Sequence, residues 1–247
     1  MAGYDFSAWE ELPFVSCQCI TFGRPAMLNE AVECFLRQDY PGPKELVILN
    51  DQPGVTYRFD HPEVRVINLD KRVETIGRKR NLCVEACRGQ VILPWDDDDI
   101  HLPWRISVTI QEMKNKTYFK PKKFWVWTEK RFALETPGGG APSMAGYSKA
   151  VWMQVDGYPE VQSGQDTELQ KRLVAAGVVD VRDLSTTDNY YVYRWGTGHY
   201  HLSGYGRGQR GFETIGKRVG LKVRPGEYEI RPGWAVDYVA KVRDALA

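Results

Sequence analysis

Apolar and polar positions follow two alternating rhythms through about the first hundred residues. Residues 14–20 form a short apolar run and predict a strand. Between residues 27 and 38, Leu28, Ala31, Val32, Phe35 and Leu36 recur at helical spacing, with Pro25 near the start, where proline is tolerated. ELVILN (45–50) is a continuous apolar run of the kind found in strands covered on both faces, and residues 64–68 read as a third strand. Residues 76–87 predict a second helix, stopped by Gly89, and VILP (91–94) a fourth strand. Strand and helix in alternation predict an α/β fold with a doubly wound, mostly parallel sheet. Ligands of such sheets bind outside the carboxyl ends of the strands. Asn50–Asp51 and the run Asp96, Asp97, Asp98, Asp99 lie at two such ends.

Beyond Pro103 a helix is expected to about Met113, then a lysine- and aromatic-rich stretch (114–134) that reads as a β-ribbon or surface excursion. GGGAPS (138–143) is a break. Residues 163–177 predict a helix with Leu169, Leu173 and Ala176 inward and Gly177 as its stop. Strands are expected near VVDVR and NYYVYRW, followed by a Gly- and Arg-rich tail. No repeat or linker divides the chain. The expected organisation is a core over 1–185 and a C-terminal extension over 186–247 in the same compact domain, serving the acceptor or closing over the site.

Composition changes this picture little. The 247 residues are 43% hydrophobic and 26% charged, with a net charge of +1, so no global charge draws the chain to nucleic acid or anionic lipid. No stretch approaches a membrane span, and the N-terminus lacks the basic and apolar regions of a signal peptide. The five cysteines lie in apolar segments and read as reduced, buried thiols. A cytoplasmic protein without a transmembrane segment is the expectation.

Three constellations suggest chemistry. Four adjacent carboxylates closing a buried strand, flanked by Trp95, Ile100, Leu102 and Trp104, need a counter-charge. A divalent cation with oxygen ligands supplies one and bridges to diphosphates; a solvated acidic turn is the plainer alternative. Arg78, Lys79 and Arg80 lie in the first turn of the second helix, where positive charge opposes the macrodipole unless it serves something else. Asp166 follows Ser163 at capping-box spacing, so it is either a helix-start carboxylate or a general base aimed into the cleft.

The order of these parts resembles the family 2 glycosyltransferases of GT-A fold. Thr21-Phe22-Gly23-Arg24, Gln38-Asp39-Tyr40-Pro41 and Asn50-Asp51 match that family's opening strand–helix–strand pattern. GRKRN (77–81) with the strand ending WDDDD resembles its arginine-bearing helix and DxD motif, and SGQD (163–166) its ED motif. The resemblance covers about residues 13–177. It implies an inverting, metal-dependent transfer from a nucleotide diphosphate sugar, most readily a UDP-sugar, to an acceptor hydroxyl. Thr21, Arg24, Asn50 and Asp51 would line the base pocket. Arg78 and Arg80 would meet base or phosphate, Asp96 and Asp97 the ribose or sugar, and Asp98 would bind Mn²⁺ or Mg²⁺. Asp166 would be the general base. Gly23 and Asn50 depart from the family's asparagine and aspartate, which loosens the preference for uracil, and Gln165 stands where glutamate is frequent. His199 and His201 alternate as in a strand; they read as a surface pair, or as a tail that closes over the diphosphate, with His201 ligating the metal.

The acceptor is open among glycan, lipid and small molecule. Lysine and arginine interleaved with aromatics in 114–131 and 207–224 also suit a nucleic-acid acceptor, such as a hydroxymethylated DNA base. A non-catalytic module that binds sugar nucleotides or glycans is the alternative from another class.

Overall fold

The computed structural model describes residues 4, 6, 7, 9–128, 130–136, 141–194 and 223–246. Its elements in order are β1 (Val15–Thr21), α1 (Pro25–Leu36), β2 (Lys44–Asn50), β3 (Val55–Arg58), β4 (Val64–Asn68), α2 (Ile76–Ala86), β5 (Val91–Pro94) and β6 (Ile100–His101). Then come α3 (Arg105–Glu112), β7 (Tyr118–Pro121), β8 (Phe124–Trp127), β9 (Phe132–Glu135), β10 (Gly146–Ser148) and α4 (Lys149–Gln154). The chain continues through α5 (Gln165–Ala176), β11 (Val179–Arg182), β12 (Tyr191–Arg194), β13 (Gly226–Glu229) and α6 (Tyr238–Leu246).

The central strands are apolar throughout because both faces are covered. Cys17, Cys19, Leu46, Ile48 and Leu93 face one core, with Leu28, Ala31, Val32 and Phe35 of α1. Their neighbours Val47, Leu49 and Ile92 face a second core, with Cys83 and Val84 of α2 and Leu169 and Leu173 of α5. Helices on both faces make this a doubly wound sheet, of seven strands in the order β11-β7-β10-β5-β1-β2-β4. Only β10 runs antiparallel to its neighbours within it. From β1 the chain steps outward through β2 to β4, then returns to place β5 on the other side of β1. That reversal opens a crevice at the carboxyl ends of β1 and β5.

A four-stranded sheet, β6-β12-β8-β9, stands beside this crevice, and β13 pairs in parallel with β3. The 114–134 stretch is therefore not a surface excursion. Its first part is β7 of the central sheet, and its second is the antiparallel hairpin β8–β9. The C-terminal residues pack on α1: Arg231 and Ala235 donate backbone N–H groups to Asn29 and Glu30, and the Trp234 indole reaches Cys34. No helix of the described residues is long and apolar enough to cross a membrane.

The expected capping box at α5 is not made. Gly164 is the N-cap, with φ of 78°, and no side chain caps the helix. The left-handed turn takes Ser163 off the helix start, and among the described residues the Asp166 carboxylate accepts hydrogen bonds from Thr167 alone.

Candidate active site

The two strand ends at the crevice lead into polar residues. Thr21 closes β1 and donates its hydroxyl to Asp97 Oδ2 at 2.7 Å. Arg24, at the start of α1, forks across two carboxylates: Nη2 meets Asp97 Oδ1, and Nη1 donates to Asp98 Oδ2 at 2.9 Å. Arg80 of α2 donates to Asp96 Oδ1 at 2.8 Å, and the Ser143 hydroxyl donates to Asp96 Oδ2. Asp99 accepts from the Tyr191 hydroxyl and from the Arg194 backbone N–H. The run of four carboxylates is thus not a shared acidic surface. Asp96 pairs with Arg80, Asp97 and Asp98 share Arg24, and Asp99 turns to Tyr191 and the Arg194 backbone, so the paired counter-charges are guanidinium groups from α1 and α2.

The basic triplet of α2 divides by helical angle. Lys79 turns inward, where Nζ pairs with Asp51 and donates to the Thr21 carbonyl at 2.6 Å. Arg80 reaches Asp96, while Arg78 is 41% exposed and lies near Glu160 and Glu85 on the outer face. Two of the three charges that oppose the helix dipole are therefore used on carboxylates, the buried Asp51 and the partly buried Asp96. Burial lowers the Lys79 pKa, although the facing Asp51 favours its charge.

Several expected positions take other work. Asn50 is fully buried, and its amide donates to the Val55 carbonyl and to Asn68 while its oxygen accepts from Gln52 N–H. It ties β2 to the β3–β4 segment and presents nothing to the crevice. Asp51 accepts from Lys79 and from the Val73 N–H at 3.0 Å. Arg78 is turned away. His201 and its neighbour His199 lie outside the described residues.

Asp166 lines a shallow hollow, open in part to solvent, together with Arg80, Ser143, Tyr118, Tyr147 and Tyr158. Arg80 links this hollow to the acidic turn, since its other partner is Asp96. The Tyr147 and Tyr158 hydroxyls meet at 3.2 Å. The Tyr118 hydroxyl and Arg80 Nε are buried without a partner among the described residues. Such unsatisfied groups mark a place where a ligand or water has bonds to make.

Asp97 is fully buried, and its pKa is raised to about 6: burial is the main cause, Arg24 opposes it, and Asp98 adds to it. For Arg24 burial works against the charge, and the Asp97 and Asp98 carboxylates outweigh it. A divalent metal was expected here. Among the described residues, no group of three or more His, Cys, Asp or Glu converges to hold one. Asp98 Oδ1 receives no hydrogen bond from them, whereas Oδ2 is taken by Arg24. This donor set fits an ion carried mainly by the oxygens of a diphosphate, which is how Mg²⁺-type ions usually bind. It does not fit a metal held by the acidic turn alone.

Behind the turn, sequence reasoning missed a buried network. Arg105 donates to the Pro94 and Ser143 carbonyls, both at 2.7 Å, and to His101 Nδ1. A guanidinium only donates, so His101 carries its proton on Nε2 and gives it to the Asp96 carbonyl at 3.1 Å. Burial, then the Arg105 charge, lowers the His101 pKa well below its usual 6.5. The unfolded chain binds this proton below about pH 6.5 and the native one does not, so this histidine withdraws stability as pH falls, by ~1.4 kcal/mol per pH unit. Asp97, with its raised pKa, acts in the opposite sense below about pH 6. Comparing denaturation of wild type and His101→Gln across pH 5–7 isolates the first effect: the wild-type curve should be steeper by that slope below pH 6.5. Parallel curves would mean that the native imidazole titrates normally.

Residues 18–122 match the family model described as Glycosyl transferase family 2. That stretch, about two-fifths of the chain, is similar to the family 2 glycosyltransferases. The fold of the chain is GT-A, the fold shared by the solved structures it resembles. Staphylococcus aureus TarS, residues 1–349 in complex with UDP, superposes with a TM-score of 0.58 at 17% identity, over 75% of this chain and 61% of that one. The same fragment with UDP-GlcNAc gives 0.55 at 17% identity, over 74% and 58%. The mannosyltransferase PcManGT from Pyrobaculum calidifontis, in complex with GDP-Man and Mn²⁺, gives 0.56 at 12%, over 74% and 57%. The chain thus spans about three-fifths of the length of these structures. Comparison with curated proteins found no match.

One acceptor reading loses half of its support. In 114–131, Tyr118, Phe119, Phe124 and Trp125 are buried in the sheets rather than offered to bases. Lys116 and Lys123 lie at 3.8 and 3.5 Å from Asp180 and Asp183. The other basic stretch falls outside the described residues up to position 222.

Proposed function

We propose that this chain moves a sugar from a nucleoside diphosphate sugar to an acceptor hydroxyl with inversion, Asp166 serving as general base. The observation that carries this reading is the convergence of Asp166 and Arg80 on one hollow, with Arg80 paired to Asp96 of the acidic turn. The acceptor oxygen attacks the anomeric carbon as its proton passes to Asp166, and the bond to the diphosphate breaks on the opposite face. The leaving diphosphate gathers negative charge, which Arg80 and Arg24 are placed to stabilise by preorganised donors. A divalent metal, Mn²⁺ or Mg²⁺, would be held by Asp98 and the diphosphate and would supply further charge neutralisation there. The expected ligand His201 remains part of the proposal.

Around the base, Asp51 would act as a pair with Lys79. Phe22, with the Arg72 guanidinium 4.8 Å from its ring centroid, offers a flat apolar wall nearby. Thr21 and Arg24 would then act through the acidic turn rather than on the base, and Asp96 would meet the ribose or sugar. The ligands of the similar structures, UDP, UDP-GlcNAc and GDP-Man, support a nucleotide sugar as donor class and leave its base open. Calorimetry against UDP, GDP, CDP and dTDP, each with and without Mn²⁺, tests the reading. One diphosphate should bind in a metal-dependent way, and Asp98→Ala should abolish the metal dependence. If all four are silent in both conditions, the donor class is wrong.

A further inference from the structure

Among the cations at the acidic turn, Arg24 is the odd one. Arg80 meets a single aspartate, Asp96, which also takes the Ser143 hydroxyl. Arg194 serves the turn through its backbone N–H to Asp99 and its Nε to the Asp98 carbonyl. Arg24 alone spans two neighbouring carboxylates with the two arms of one guanidinium. It does so from the N-cap position of α1, the end at which positive charge is unfavourable. Its side chain caps nothing there, and its Nε is buried without a partner among the described residues. Nothing in α1 calls for an arginine at this position. The acidic turn does.

We propose that Arg24 is the resident counter-ion of the acidic turn and that it makes divalent-metal binding conditional on a diphosphate ligand. Without ligand, the carboxylate oxygens nearest the crevice are already neutralised by the guanidinium. Among the described residues an approaching cation finds Asp98 Oδ1 without a hydrogen bond, next to a like charge. A diphosphate changes both sides of the exchange. Its oxygens complete the metal's shell, and they offer the guanidinium a new bidentate partner, a geometry arginine favours with phosphate. Metal and nucleotide then bind together or hardly at all, and by linkage each tightens the other by the same factor. The inference rests on the nucleoside diphosphate reading for its second half only; the metal-alone half stands on Arg24 and the aspartates.

Free Mn²⁺ in solution has a paramagnetic resonance signal that falls on binding, so affinity can be read without turnover. For wild type, Mn²⁺ alone should bind weakly, and whichever of UDP or GDP the protein accepts should tighten it by ~5–150-fold, the usual range of coupling between sites. In Arg24→Met the carboxylates are uncovered. Mn²⁺ alone should bind at least ~tenfold tighter than to wild type, and the gain from nucleotide should shrink correspondingly. Arg24→Lys keeps the charge but cannot fork, so it should fall between the two; it also keeps the test alive if the methionine variant does not fold. Equal Mn²⁺ affinity of all three proteins without nucleotide would overturn the role given to Arg24. So would tight Mn²⁺ binding to the nucleotide-free wild type. If no nucleotide binds but the variants still gain metal affinity, the counter-ion role holds and the donor reading fails.

Discussion

Asp166→Asn is expected to lower turnover by ~10²–10⁴-fold, the span that a positioned general base contributes. Asparagine keeps a side-chain oxygen to accept from the Thr167 N–H, as Asp166 Oδ1 does at 2.7 Å, so the start of α5 should be undisturbed. What is lost is the proton acceptor lining the hollow shared with Arg80. Donor affinity, measured by calorimetry with the diphosphate that wild type accepts, should stay within about a factor of a few, because the acidic turn and its arginines are untouched. Sugar release from the nucleotide, followed with the matching donor and acceptor, should fall without a comparable rise in KM. A variant with full turnover would remove Asp166 from the chemistry and leave it a helix-start carboxylate. Equal loss of binding and turnover would mean that the residue holds the donor instead.

What could be read along the chain was what local periodicity encodes. The strands at residues 14–20, 45–50, 64–68 and 91–94 and the helices between them emerge from alternation and helical spacing, because both faces of the sheet must be covered by apolar stripes. The crevice followed from the topology, since strand ends in doubly wound sheets gather ligands. Hidden from that reading were contacts across long separations. Arg24 and Asp98 are 74 positions apart, and no local pattern announces that the counter-charge of the acidic run is a guanidinium. The helical angle of α2 decides which of Arg78, Lys79 and Arg80 turns inward, yet only the fold shows which side holds Asp51. Asn50 was misleading for a related reason. At a strand end its amide can serve a ligand or the neighbouring loop, and here Val55 and Asn68 claim it. The capping-box spacing at Ser163 failed because Gly164 turns left-handed and takes the cap itself.

Another contact across a long separation carries the second large effect. Arg194 is fully buried; its Nη1 meets Glu30, 164 positions earlier, and the Tyr238 hydroxyl at 3.2 Å, while its Nε holds the Asp98 carbonyl at 2.7 Å. Glu30 also accepts from Tyr238 at 2.8 Å and from the Ala235 N–H at 3.1 Å, so α1, the acidic turn and the C-terminal residues share one charge pair. Burial alone would raise the Glu30 pKa; Arg194 and these hydrogen bonds hold it below its usual value. A depressed carboxylate of this kind adds stability above its unfolded pKa and loses it as pH falls through the folded one. Arg194→Met leaves Glu30 buried and uncompensated, which should cost ~3–5 kcal/mol. For a chain of this size that is a fall in Tm of roughly 6–20 °C. Glu30→Leu should cost a similar amount by stranding the guanidinium. The double variant should recover much of the loss, because removing both charges removes the desolvation burden with them. Because Arg194 also fixes the Asp98 carbonyl, the arginine variant should weaken metal-dependent nucleotide binding even at temperatures where it is fully folded. Additive losses in the double variant, or a single-site loss below about 1 kcal/mol, would mean that the two charges do not act as a pair.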